Sequence, residues 1–163
     1  MSAIKKILVP TDFSEASKAA LKYACELATA TNASLCILHT VENPYPVGGF
    51  PEYYSLPRDY FEQLERSARR ELEALLESVI TPEEGKRYRV RLALRRGVAA
   101  QEILLYLQEH PDIDLVVMAT HGRGGVARLM MGSVADKVMR AAKCPVLTIR
   151  PPDVEGTKTG KAA

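Results

Sequence analysis

The spacing of hydrophobic residues along the chain switches between the pattern of a β-strand and the pattern of an α-helix. Five short segments have the continuous apolar or period-two pattern that is typical of β-strands. They are Lys5–Val9, Leu35–Val41, Tyr88–Arg95, Leu115–Ala119 and Pro145–Arg150. The third alternates apolar and polar residues, which predicts a strand with one solvent-facing side or a place at the edge of a sheet. The first is expected to end at Pro10.

Four segments between these strands have apolar residues at helical spacing. They run from Ser14 to about Thr31, over Asp59–Ile80, from Gly97 to about His110, and over Val134–Ala142. Ser14 is the predicted N-cap of the first helix, and Glu15 in its first turn suits the helix dipole. Residues 81–85 are expected to end the second helix.

Strict alternation of strands and helices predicts an α/β fold, a single-domain three-layer sandwich with a five-stranded parallel sheet and four helices. In such sheets a ligand sits beyond the carboxyl ends of the strands, where the winding direction reverses. With the strand order 3-2-1-4-5, the first and fourth strands are neighbours at that reversal. This order places Pro10–Asp12 beside Ala119–Gly122.

Asp12 has two interpretations at this edge. An acidic residue at a strand end can accept hydrogen bonds from the hydroxyls of a ribose. The same residue can instead cap the helix that follows. The residues alone leave both open.

A glycine-rich loop connects the fourth strand to the last helix and ends at Gly132–Ser133. Loop glycines let backbone N–H groups approach an anion, and the unpaired N–H groups of a helix's first turn point at it. Ser133 adds a hydroxyl. The segment therefore has the parts of a phosphate cradle. The alternative is a plain connection in which the glycines only turn the chain.

Composition narrows the class of protein. The 163 residues are predicted to form one domain over residues 1–151 and a polar, disordered tail over 152–163. The net charge of +2 argues neither for nor against a nucleic-acid partner, but the chain has no basic stripe with interleaved aromatic residues, so none is expected. No apolar run approaches the roughly 20 residues that span a bilayer, and the N-terminus lacks a signal peptide.

The three cysteines form no CxxC pair, so we expect a cytoplasmic protein with reduced thiols.

Two other features carry weaker signals. Residues 42–57 contain four prolines and are expected to form a surface loop, either a variable excursion or a lid or partner site. His39 lies in an apolar strand, where a histidine is more often satisfied within the core than catalytic. Neither His39 nor His121 has a nucleophile partner that is visible in the sequence.

Five motifs, taken in order, resemble the universal stress protein family. They are Ile7–Ser14, Ile37–Thr40, Val116–Arg123, Leu129–Val134 and Cys144–Arg150. The match runs from residue 4 to about residue 151, and the motifs are specific as a set. The resemblance implies a domain with strand order 3-2-1-4-5. It also implies a homodimer in which the last strands of two subunits lie side by side.

The nucleotide-binding branch of this family carries Gly, two residues, Gly, nine residues, and then Gly with Ser or Thr. Gly122 and Gly132–Ser133 fit that pattern, whereas Ala119 stands at the position of the first glycine. Alanine keeps the N–H group that would donate to a ribose. It fails only if a positive φ is needed there or if the ligand touches the α-carbon.

The resemblance also implies a role for each matched position. Pro10 and Thr11 would line the pocket, and Asp12 would accept a hydrogen bond on the ribose or adenine side. Thr40 would meet adenine through its backbone, while Met118 and Ala119 would flank the ribose. Gly122 and Arg123 would begin the phosphate loop, and the phosphates would be held by Gly132, Ser133 and Val134. A magnesium ion would ride on those phosphates with few protein ligands.

The sequence therefore predicts an ATP-binding regulatory protein of stress responses. It is not expected to be an enzyme, or at most a slow ATPase, because no motif positions a water and a general base. One alternative is a nucleotide-independent dimeric interaction protein of the same fold, which Ala119 favours. A third is a nucleotide hydrolase or nucleotidyl transferase.

Overall fold

The structure, a computed structural model, describes residues 4–42, 59–120 and 132–150. The strands are β1 (Lys6–Thr11), β2 (Ser34–Val41), β3 (Val90–Arg96), β4 (Leu115–Ala119) and β5 (Val146–Ile149). The helices are α1 (Glu15–Thr31), α2 (Tyr60–Val79), α3 (Pro82–Tyr88), α4 (Ala99–Glu109) and α5 (Ser133–Ala141). The predicted loop beyond Glu42, the residues from His121 to Met131 and the predicted tail lie outside the described residues.

All strand pairs are parallel and their order is β3-β2-β1-β4-β5, which confirms the predicted sheet. The alternating segment forms β3 at one edge, as its pattern predicts. Ile7 and Val9 pack in the core beneath α1 and α2, while Leu8 between them packs in a second core beneath α4 and α5. The two cores make three layers, with helices on both faces of the sheet.

Residues 82–88 form a fifth helix, so the prediction of four helices is wrong. Thr81 Oγ1 accepts from the N–H of Glu84 at 3.4 Å, and the Glu84 carboxylate accepts from the N–H of Thr81 at 2.8 Å. Pro82 takes the first helical position, where a missing N–H costs nothing. This capping box starts a short helix that ends at Tyr88, and β3 begins after it.

β1 continues through Pro10 to Thr11, so the prediction that it ends at Pro10 is also wrong. The carbonyl of Lys6 accepts from Asp114 on the β4 side. Alternate residues of a strand point their backbone groups to alternate sides, so Pro10 faces β4 as well. The pairing of β1 with β4 ends at Leu8, and the missing N–H of the proline therefore breaks no ladder bond.

The three cysteines should differ sharply in reactivity. Burial raises the pKa of the Cys25 thiol to about 12, with a contribution from Glu84, and burial also raises the pKa of Cys36. Cys144 is half-buried, and burial raises the pKa of its thiol too. The thiolate is the reactive form. At pH 8 we expect a disulfide reagent to label Cys144 slowly and the other two only after denaturation. Rapid labelling of all three in the native protein would contradict the described packing.

Among the described residues, no helix is both long enough and apolar enough to cross a bilayer.

Candidate functional site

The carboxyl ends of β1, β2 and β4 meet at one edge of the sheet. β1 lies between β2 and β4, and the chain winds outward from β1 to β3 before it returns to β4. The winding direction therefore reverses between β1 and β4, which is where ligands bind in such sheets. The predicted site residues on these three strands share this edge.

Asp12 opens the turn between β1 and α1. Its Oδ1 accepts from the N–H of Ser14 at 3.0 Å and from the Ser14 hydroxyl at 2.6 Å. Ser14 Oγ in turn accepts from the N–H of Ser17 at 3.2 Å and is the N-cap of α1, as the sequence predicts. Asp12 thus does not cap the helix itself. It fixes the residue that does.

A chain of hydroxyl groups braces the same turn from inside. The Ser17 hydroxyl donates to the carbonyl of Ser14 at 2.9 Å, which uses its single proton. The Thr11 hydroxyl, 2.9 Å away, therefore donates to Ser17 Oγ. Thr11 Oγ1 also accepts from the N–H of Phe13 at 3.1 Å. Thr11 and Ser17 are buried, so these bonds make the turn rigid before any ligand arrives.

Three of the predicted positions lie beneath the rim of this edge. The side chains of Pro10, Thr40 and Met118 are buried, and Met118 packs in the core beneath α4 and α5. A nearby backbone contact, from the N–H of Gly97 to the carbonyl of Val41 at 3.1 Å, holds the end of β2 against the turn after β3. Side chains of these three residues therefore shape the floor of the edge from below.

Ala119 is the last residue of β4 and pairs with Ile149 in the sheet. It is not one of the residues with positive φ, and its half-buried side chain packs against the core beneath α1. The strand therefore accepts alanine at the position of the motif glycine without backbone strain. This removes one of the two conditions under which alanine would fail there.

A hydrogen bond closes the two ends of the glycine-rich loop. The N–H of Gly132 donates to the carbonyl of Thr120 at 2.6 Å, and the N–H of Thr120 donates to Ile149 at 3.0 Å. The start of α5 is thereby fixed against the carboxyl end of β4. Ser133 is exposed and Val134 half-buried there. Gly122 and Arg123 lie outside the described residues.

The first turn of α5 has the electrostatics of an anion site. Gly132 is the N-cap and has no side chain that could accept from the first-turn N–H groups, for which the helix itself provides no carbonyl partner. Asp136 would oppose an anion, but Arg140 binds its carboxylate at 3.0 Å through both oxygens. No group of three or more His, Cys, Asp or Glu side chains in the described segments is arranged to hold a metal ion.

His39 is a residue of this edge to which the sequence assigned no role. It pairs with Thr11 in the β1–β2 register, and its Nδ1 lies 2.8 Å from the carbonyl oxygen of Thr11. Its ring also lies against the ring of Phe13 in a tilted arrangement, with centroids 4.2 Å apart. The prediction of a satisfied histidine is confirmed. Its link to the β1–α1 turn depends on strand register, for which the sequence carries no signal.

Comparison with known proteins gives a consistent result. Residues 3–150 match the sequence profile of the Universal stress protein family. The universal stress protein MJ0531 of Methanocaldococcus jannaschii is 32% identical over 93% of this chain and 85% of its own length. The structure of the universal stress protein UspA from Lactobacillus plantarum superposes with a TM-score of 0.74 at 26% identity, covering 92% of this chain and all of that one. A universal stress protein solved in complex with cAMP, 24% identical, superposes with a TM-score of 0.61 over 91% of this chain and 98% of that one.

Proposed function

This chain belongs to the universal stress protein family, and we propose that within it the chain is an ATP-binding regulatory protein with little or no hydrolytic activity. Partner proteins would detect during stress whether this protein has nucleotide bound. The neighbour solved with cAMP supports an adenine nucleotide as the class of ligand.

The hydrogen bond from Gly132 to Thr120 is the observation that carries this proposal. It places the first-turn N–H groups of α5 at the end of β4, and β4 is the neighbour of β1, the strand that Asp12 follows. A group suited to binding phosphate and a group suited to accepting from hydroxyls therefore lie at the same edge, which supports the proposal. These are the two chemistries that a nucleoside phosphate presents.

The nucleotide would lie across this edge from β2 to α5. Adenine would meet the backbone at Thr40 and the ribose would lie near Met118 and Ala119. The phosphates would reach the glycine-rich loop and the start of α5, with magnesium held mainly by the phosphates and water. Asp12 would accept a donor from the ribose or adenine side.

Hydrolysis is expected to be slow because phosphoryl transfer requires a positioned water and groups that stabilise the transferred phosphoryl. Asp12, the acidic residue placed at this edge, is held by Ser14 and serves as an acceptor in the proposed complex. A regulatory protein benefits from a nucleotide that persists, because the bound state is then its signal.

The proposal is tested by identifying what the protein carries. We expect denatured, freshly purified protein to release adenine nucleotide at up to one molecule per chain, detected by ion-exchange chromatography. The rate of phosphate release from added Mg-ATP should be no higher for the parent than for the Gly132→Val variant, which sets the background. Turnover that is far above this background in clean protein would instead identify an enzyme.

We also propose that the chain forms a homodimer through β5. In the described part of the chain β5 pairs only with β4, and it forms the second edge of the sheet. Its four residues, Val146–Ile149, are all half-buried in the single chain. An unpaired, partly apolar strand edge favours pairing with the same edge of a second copy.

A further inference from the structure

We propose that His39 is a positioning residue that holds Asp12 in the orientation required for the nucleotide. This inference rests on the proposed function. His39 contacts the residue before Asp12 and the residue after it, so the backbone of Asp12 is held on both sides by one imidazole ring.

The first contact is a directed hydrogen bond. His39 Nδ1 lies 2.8 Å from the carbonyl oxygen of Thr11. A carbonyl oxygen can only accept, so the proton must reside on Nδ1. The imidazole thus fixes the peptide unit that joins Thr11 to Asp12.

The second contact holds the other side of Asp12. Phe13 adopts a φ of 65°, a left-handed conformation that residues with a side chain seldom take. Its ring lies on the imidazole of His39 at 4.2 Å with an interplanar angle of 35°. The ring contact, together with the bond from the Phe13 N–H to Thr11 Oγ1 at 3.1 Å, stabilises this conformation.

The hydrogen bonds that Asp12 itself makes fix its side chain rather than its backbone. The bonds from Ser14 fix one oxygen of the carboxylate, whereas His39 fixes the backbone from which the side chain leaves. His39 stands on β2 and Asp12 follows β1, so His39 also ties the turn to the strand that carries Thr40. The acceptor and the adenine-side backbone are therefore held in a fixed relation, which lowers the ordering cost of binding.

Two variants of the same shape isolate the hydrogen bond. His39→Asn places an amide N–H donor near the position of Nδ1, and His39→Leu puts a methyl group there instead. Neither side chain has a ring, so both variants lose the ring–ring contact with Phe13. Binding of Mg-ATP is measured by calorimetry for the full chain, for both variants, for Asp12→Asn and for the double variant Asp12→Asn/His39→Leu. Urea unfolding of each protein records whether the fold is retained.

We expect His39→Leu to weaken binding about five- to tenfold, in line with the loss of one positioning hydrogen bond, and His39→Asn to bind within about threefold of the parent. In the Asp12→Asn background, His39→Leu should cause little further loss, because its effect passes through Asp12.

Equal binding by the Asn and Leu variants would overturn the inference, because the donor would then have no role. An undiminished effect of His39→Leu in the Asp12→Asn background would overturn it too, because His39 would then act by another route. A parent protein that binds no nucleotide would refute the proposed function first, and the inference would fall with it.

Discussion

Replacing Gly132 by valine should abolish binding of Mg-ATP and leave the fold intact. The loss should be roughly a hundredfold or more in Kd, which corresponds to about 2.8 kcal/mol of binding free energy. Gly132 is the N-cap of α5, and its N–H is tied to Thr120. A branched side chain at this position would stand where phosphate oxygens must approach the first turn of the helix.

The fold should survive because the backbone at Gly132 needs no glycine. Its φ of −58° and ψ of 147° are open to any residue. Valine is a poor N-cap, so we expect a cost of about 1 kcal/mol in the free energy of unfolding. Calorimetry and urea denaturation measure the two effects separately.

A matched control is available in α3. Gly85 is also negative in φ, and a β-carbon there would meet only Ile80 Cγ2, at an ordinary 3.9 Å. Gly85→Val should therefore bind nucleotide as tightly as the parent does. The affinity of Gly132→Ala should lie between those of the parent and Gly132→Val. If Gly132→Val binds within a few-fold of the parent, the assignment of the phosphate site is wrong.

Thr148→Pro should convert the dimer to a monomer without unfolding the sheet. The carbonyl of Pro145 accepts from Val116 of β4, and the carbonyl of Ile149 accepts from Thr120 just after β4, at 3.0 Å each. Pro145 and Ile149 therefore point their backbone groups inward, toward β4. Alternate residues point to opposite sides, and Thr148 therefore directs its N–H outward. Proline at this position removes a donor from the free edge and leaves the ladder with β4 complete.

Light scattering after gel filtration gives the mass directly. The parent and the Thr148→Ala control, which keeps the N–H group, should elute at twice the chain mass of 18.0 kDa. The proline variant should elute at the mass of one chain. A parent that is monomeric at micromolar concentration, or a proline variant that remains a dimer and folded, would rule out an interface built on the outer edge of β5.

Most of this fold can be predicted from the sequence, because the hydrophobic periods of strands and helices can be read within short segments of the chain. Apolar runs and helical spacing locate the five strands and four of the five helices in the described ranges, and their alternation leaves few arrangements of a parallel sheet. The missed helix α3 has a local signal as well, Thr81 followed three residues later by Glu84. Its seven residues, with proline first and glycine in the middle, also have the composition of a turn, and this composition predicts a helix end rather than a helix start.

The site is less accessible from sequence for a physical reason. The motif spacing selects Asp12 and Gly132 as candidate binding residues, but it does not show how either one is held. Contacts such as His39 to Thr11 and Gly132 to Thr120 depend on strand register and on the path of a loop between distant segments. The same holds for Pro10, which remains in β1 because the strand still pairs with β2 at this position, while the pairing with β4 ends at Leu8.

The most direct test of the central claim is a calorimetric titration of nucleotide-stripped protein with Mg-ATP, run in parallel on Gly132→Val. We expect one site per chain with a micromolar Kd in the parent and no measurable heat of binding in the variant. A flat titration for the parent, under conditions in which urea unfolding shows it to be folded, would show that this edge does not bind the nucleotide. The function of this edge would then have to be sought in contacts with other proteins.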